Sequence, residues 1–84
     1  MSAERILQIR ERLEAALHPT ALEIIDEGHK HVGHAGEGQG HYLVRISSAA
    51  LAGKTLIQQH RLVYAAVDDL MGNGIHALKI DVKP

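Results

Sequence analysis

The chain of 84 residues contains no cysteine, tryptophan or phenylalanine, and only Tyr42 and Tyr64 as aromatics. Without thiols it can form no disulfide, offer no thiolate nucleophile and build no Cys-type zinc site of its own. It also lacks a charge excess: nine Lys and Arg face ten Asp and Glu, for a net charge of −1. Proteins that hold nucleic acid by phosphate attraction usually carry a basic surplus, so a domain-wide nucleic-acid surface is disfavoured and only a local basic patch remains open. No apolar run approaches the roughly 20 residues needed to cross a bilayer, and no signal-peptide core is visible, so no membrane role and a cytoplasmic location are expected. What is present is aliphatic: 45% of residues are hydrophobic, mostly Ile, Leu, Val and Ala. That composition and length predict one folded domain with one core, spanning 1–84.

Ser2 to Leu17 predicts an amphipathic helix, with Ile6, Ile9, Leu13, Ala16 and Leu17 recurring at three-four spacing and Ser2 as a candidate N-cap. Pro19 should end it, because its ring disfavours helical geometry at His18. Ala21 to Asp26 reads as a short strand. His41 to Ser48 alternates, with Tyr42, Val44 and Ile46 on one face and Leu43, Arg45 and Ser47 on the other. These two strands are expected to pair antiparallel. Thr55 to Met71 predicts a second long helix with Leu56, His60, Val63, Val67 and Leu70 inward, although Asp68 and Asp69 oppose the dipole at its end. Gly72-Asn73-Gly74 marks a stop and a turn, and Ile75 to Val82 a third strand. Strand, helix, strand implies a parallel crossover, so the fold class is α+β, α-β-β-α-β, with two helices on one face of a three-stranded mixed sheet.

Between the first two strands, residues 27 to 40 hold five glycines and three histidines, with Val32 as the sole sizeable apolar side chain. So little can be buried there that the tip should be mobile. Two readings stand side by side: a plain solvated linker, or a short histidine tract that binds metal.

Leu22-Glu23-Ile24-Ile25-Asp26-Glu27, Gly40-His41-Tyr42-Leu43-Val44, Ser47-Ser48, Leu51-Ala52-Gly53, Gln59-His60-Arg61-Leu62-Val63-Tyr64 and Ile75-His76-Ala77-Leu78 follow one another along the chain. In order and spacing they resemble the BolA family over essentially the whole length. The resemblance implies a class II KH-like fold and a partner, the monothiol glutaredoxins, with which such proteins share a 2Fe–2S cluster; some relatives act as transcriptional regulators. It places one cluster ligand at His76. The second ligand lies in the first hairpin loop, as His in one subgroup and Cys in another. A chain without cysteine falls in the His subgroup, with that ligand at His31. The loop is about one residue longer than the common pattern and carries an additional histidine, so His34 and His29 stay as alternatives. Some members continue past the position of Pro84, and contacts made by such a segment would be missing here.

Imidazole suits an iron whose other positions are filled by sulfur, as two histidines on one iron do in Rieske centres. This chain could give only nitrogen, so the partner's cysteine and glutathione would give the sulfur. Neutral imidazole is needed, and binding of this kind weakens as pH falls through about 6.5. From residues alone, His76 reads as a packed histidine at a strand end, and only the resemblance makes it a ligand. His60, on the inward face of the second helix, reads as a partly buried, hydrogen-bonded structural histidine. His18 and His41 read as structural or surface residues.

Enzyme chemistry is not expected. Ser47 and Ser48 lack a nucleophile-elbow context, the loop glycines form no phosphate-binding motif, and a His29-His31-His34 zinc hydrolase would have no placed general base. The alternative is a nucleic-acid-binding regulator using Lys54 and Arg61, although Gly53-Lys54 offers one glycine where a KH loop needs two. The isolated chain is expected to be a monomer or at most a weak homodimer.

Overall fold

The structure is a computed structural model and describes residues 2–27 and 40–84. Helix α1 spans Ser2–Leu17 and strand β1 Ala21–Asp26; β2 is His41–Ser47, α2 is Leu56–Ala66 and β3 is Ala77–Val82. Short 3-10 turns at Ala49–Leu51 and Asp68–Leu70 lead into and out of α2. The strand order is β1-β2-β3, with β1 antiparallel and β3 parallel to the central β2. This is the α+β mixed sheet with two helices that the sequence pattern implies.

Alternation in the strands sorts the residues into two faces. Leu22, Ile24, Tyr42, Val44, Ile46, Leu78, Ile80 and Val82 share the inner face by register. Ile9, Leu13 and Leu17 from α1 and Val63 and Val67 from α2 pack with that face in one core. On the outer face Arg45 lies between Glu23 at 3.4 Å and Asp81 at 3.8 Å, an exposed charged row across all three strands.

Helix α1 ends at Leu17, and His18 turns away with φ +45°, one residue before Pro19. Ala16, expected on the inward face, is exposed. Ser48 then ties two elements together: its hydroxyl donates to the Leu17 carbonyl and accepts from the Ala50 N–H at 3.1 Å, capping the turn that follows β2.

The second helix is shorter than its periodicity implies. Thr55 is its N-cap, in a capping box with Gln58, and the α-helix stops at Ala66. Val67 leaves helical geometry at φ −112°, and the chain tightens into a 3-10 turn that still buries Leu70. The tighter turn keeps Leu70 in the core while aiming Asp69 at Arg12 of α1, with nitrogen–oxygen distances of 2.8 to 3.2 Å. Leu56, expected inward, is 65% exposed, because the buried stripe of α2 begins only after its first turn. The third strand starts at Ala77 rather than Ile75; Ile75 is fully buried and forms an isolated bridge with Met71, closing the Gly72-Asn73-Gly74 turn.

Candidate metal centre

Parallel pairing brings the starts of β2 and β3 to the same end of the sheet, since His41 stands opposite Ala77. His76 precedes β3 there and is exposed. Its backbone N–H donates to the Gly40 carbonyl at 2.8 Å, and the Ala77 N–H donates to the same oxygen at 3.1 Å. Gly40 has φ +75°, and a Cβ on it would lie 2.7 Å from the Gly74 carbonyl oxygen and 2.9 Å from the His76 nitrogen. Only glycine fits that contact, both in conformation and in space. Two turns are thereby locked together, and the residues next to Gly40 and after Ile75 are held as neighbours.

The result is a pair of imidazoles. The His41 and His76 rings have centroids 5.5 Å apart and planes inclined at 31°. His41, read from sequence as structural or surface, thus stands beside the predicted ligand His76. His41 begins β2 and His76 immediately precedes β3, and the parallel pairing of these strands sets both at one end of the sheet.

Glu27 closes the hairpin on the other side. Its N–H donates to the His41 carbonyl at 2.8 Å, and its nearly buried carboxylate lies 3.4 Å from the Lys79 ammonium. Residues 28–39, with the expected ligand His31 and its alternatives His29 and His34, lie outside the described residues, but both of their anchors, Glu27 and Gly40, border the imidazole pair. Arg5 of α1 packs over Gly74, where a Cβ would fall within 2.3 Å of its guanidinium. Below it, Tyr42 is nearly buried and its hydroxyl is held above the usual phenol range, by burial first and by Asp26 second, with Arg5 opposing.

Among the described residues no three metal-ligating side chains converge. His76, exposed, and His41, half-buried, are imidazole donors of the kind that suits a shared metal whose other ligands come from elsewhere. His60 is not part of this centre. Its Nε2 is buried and has no hydrogen-bond partner among the described residues, contrary to the hydrogen-bonded role expected for it. Lys54 and Arg61 border one shallow surface with Gln58, Leu62 and Ala65 of α2, and neither His41 nor His76 lines it.

The family model described as BolA-like protein matches residues 13–84. The chain belongs to the BolA-like family. It is 41% identical to "SufE-like protein 1, chloroplastic/mitochondrial" of Arabidopsis thaliana over 94% of this chain, but spans only 23% of that relative. It is 37% identical to "Protein BOLA1, chloroplastic" of the same plant over 90% of the chain and 51% of the relative. The DNA-binding transcriptional regulator BolA of Escherichia coli strain K12 is 32% identical, with 87% and 69% covered. Among solved structures, the BolA domain of SufE1 from Arabidopsis thaliana superposes with a TM-score of 0.82 at 43% identity, covering 94% of this chain and 90% of that one. BolA1 from Arabidopsis thaliana gives 0.79 at 36% identity, covering 92% and 87%. Two of these BolA-like relatives have names that place them in plastids or mitochondria, so a cytoplasmic location does not follow from the family. No helix among the described residues is long and apolar enough to cross a membrane.

Proposed function

We propose that this BolA-like chain is a non-enzymatic adaptor that binds a monothiol glutaredoxin and co-ligates its 2Fe–2S cluster, in iron–sulfur trafficking or iron regulation. The observation that carries this reading is the exposed His76, clamped through its backbone to Gly40 at the end of the sheet where the histidine-bearing residues 28–39 are anchored. A ligand whose own N–H, and that of the next residue, both bond the Gly40 carbonyl loses little backbone freedom when it meets a metal, and that favours capture. The second nitrogen comes from His31, with His34 and His29 as alternatives. Iron–sulfur clusters need thiolate for their remaining positions, which this cysteine-free chain leaves to the glutaredoxin cysteine and glutathione.

The test is to mix the protein with cluster-loaded glutaredoxin and record visible circular dichroism, with sizing chromatography in parallel. The wild type should change the spectrum and co-elute, and His76→Ala should abolish the spectral change. An unchanged spectrum together with no complex rejects the reading. Single substitutions at His29, His31 and His34 identify the second ligand.

A second reading rests on the bacterial relative named as a DNA-binding transcriptional regulator. Lys54 and Arg61, which border one surface of α2, would meet phosphate there. The salt dependence of DNA binding discriminates: a phosphate interface loses affinity steeply with salt, and Lys54→Ala and Arg61→Ala should flatten that slope.

A further inference from the structure

We propose that two copies of this chain associate through the outer edge of β3, pairing antiparallel about a two-fold axis at Ile80 and joining two three-stranded sheets into one. In the described sheet β3 pairs with β2 on one side only. The Ala77 and Lys83 N–H groups donate to the Gly40 and Ile46 carbonyls, at 3.1 and 2.8 Å. Alternate residues of a parallel strand bond the same neighbour, so Leu78, Ile80 and Val82 turn their N–H and C=O away from β2. Such a row is a template for another strand. The Leu78 carbonyl already accepts from the Tyr64 hydroxyl at 2.9 Å, and a carbonyl oxygen can accept twice.

Side chains select the occupant and the register. An axis at Ile80 sets Lys79 opposite Asp81 of the second copy and Asp81 opposite its Lys79, two complementary pairs on the outer face. Both groups are accessible, the Lys79 side chain at 73% exposure and that of Asp81 at 42%. An axis at Lys79 or at Asp81 opposes like charges. An axis at Val82 sets Ile80 opposite Pro84, which has no N–H to give. On the inner face the chosen register brings Ile80 against Ile80 and Leu78 against Val82. Ile80 and Val82 are half-buried, whereas Val44 and Ile46 on the central strand are 0% and 1% exposed. A second copy therefore completes a cover that one copy leaves unfinished.

The opposite edge does not suit self-pairing. Strand β1 carries Glu23 and Asp26 and no basic side chain, and Arg10 reaches its Leu22 carbonyl at 3.5 Å. Association thus closes at two copies instead of growing into a fibre. One strand pair is a small contact, below about 1,200 Å2, so the dimer is weak and reversible. It needs no glutaredoxin, metal or nucleic acid, and so stands apart from the cluster reading.

The experiment uses the untagged full chain alone, by sedimentation velocity from micromolar to millimolar concentration and by NMR on a mixture of labelled and unlabelled copies. The wild type should pass from monomer to dimer, with an intermolecular contact between the α-protons of Lys79 and Asp81. A monomer at every concentration overturns the proposal, and so does a dimer without that contact. Charge reversal tests the register. Lys79→Glu and Asp81→Lys should each weaken self-association about tenfold or more, because each sets two like-charged pairs across the axis. An equal mixture of the two variants restores both complementary pairs and should associate again; a mixture no tighter than its components overturns the register. Lys79 also lies 3.4 Å from Glu27, so amide spectra of each variant establish that it is folded. Ile80→Pro gives an arm without charge change: it removes an outward N–H and spares the ladder to β2. Folded Ile80→Pro should stay monomeric, and its dimerisation would overturn the proposal.

Discussion

Individual side chains in this protein carry costs that composition does not reveal. His60 is the clearest, with a buried Nε2 that finds no partner among the described residues. A buried polar atom left unpaired costs about 1–3 kcal/mol, so exchanging it for a hydrocarbon of similar size removes a penalty. His60→Leu should therefore stabilise the fold by about 1 kcal/mol, read as a higher urea midpoint at unchanged slope. A lower midpoint would mean that the ring is satisfied by water or by packing. At this scale the sequence was legible for burial and not for bonding. Helical spacing placed His60 on the inward side, but whether an acceptor stands opposite depends on neighbours from other elements. The same holds for Ser48, read as the end of a strand and as an unsuited nucleophile, whose hydroxyl in fact links the end of α1 to the turn after β2.

Among the elements, the joint between α1 and the end of α2 is made by Arg12 and Asp69. The guanidinium's hydrogen bond holds the Asp69 carboxyl below its ordinary range, and Asp69 in turn raises Arg12. A depressed carboxyl stabilises the folded state above the unfolded carboxylate value, and this contribution is lost as pH falls through the folded value. The pair is exposed, so the effect is small and screened by salt. Arg12→Ala should move the Asp69 titration, followed by carbon-13 NMR, back up toward the usual aspartate value. It should also leave a variant whose melting temperature falls less between pH 7 and pH 3 than that of the wild type. An unmoved Asp69 titration would show that the ion pair is not formed in solution. Element types followed from periodicity because helical and strand repeats are local. Element ends did not: α2 stops at Ala66 because the core pulls Leu70 inward while Arg12 holds Asp69, a competition between residues distant in sequence.

For the molecule as a whole, Tyr42 connects the sheet's inner face to the imidazole end. Burial and Asp26 keep its phenol from ionising, so the unfolded chain ionises first as the solution becomes alkaline. A raised folded value means stability that is complete below the unfolded tyrosine value, about 10, and lost as pH rises through the folded one. The wild type should accordingly lose melting temperature above pH 10 more steeply than Tyr42→Phe, with tyrosinate absorbance at 295 nm appearing alongside unfolding. Parallel slopes for the two proteins would show that Tyr42 does not control alkaline stability.

The linear pattern of this chain determined its two helices, its three strands and how the residues of β2 divide between two faces, because these depend on spacings of two to four residues. It also determined that any thiolate in a shared metal site must come from elsewhere, since this sequence holds no cysteine. Tertiary structure alone decided that His41 stands against His76. His41 starts β2 and His76 precedes β3, and the two become neighbours only when β3 pairs parallel with β2 and Gly40 lets the two turns touch. That contact joins residues far apart in sequence through a backbone approach that no side-chain pattern encodes.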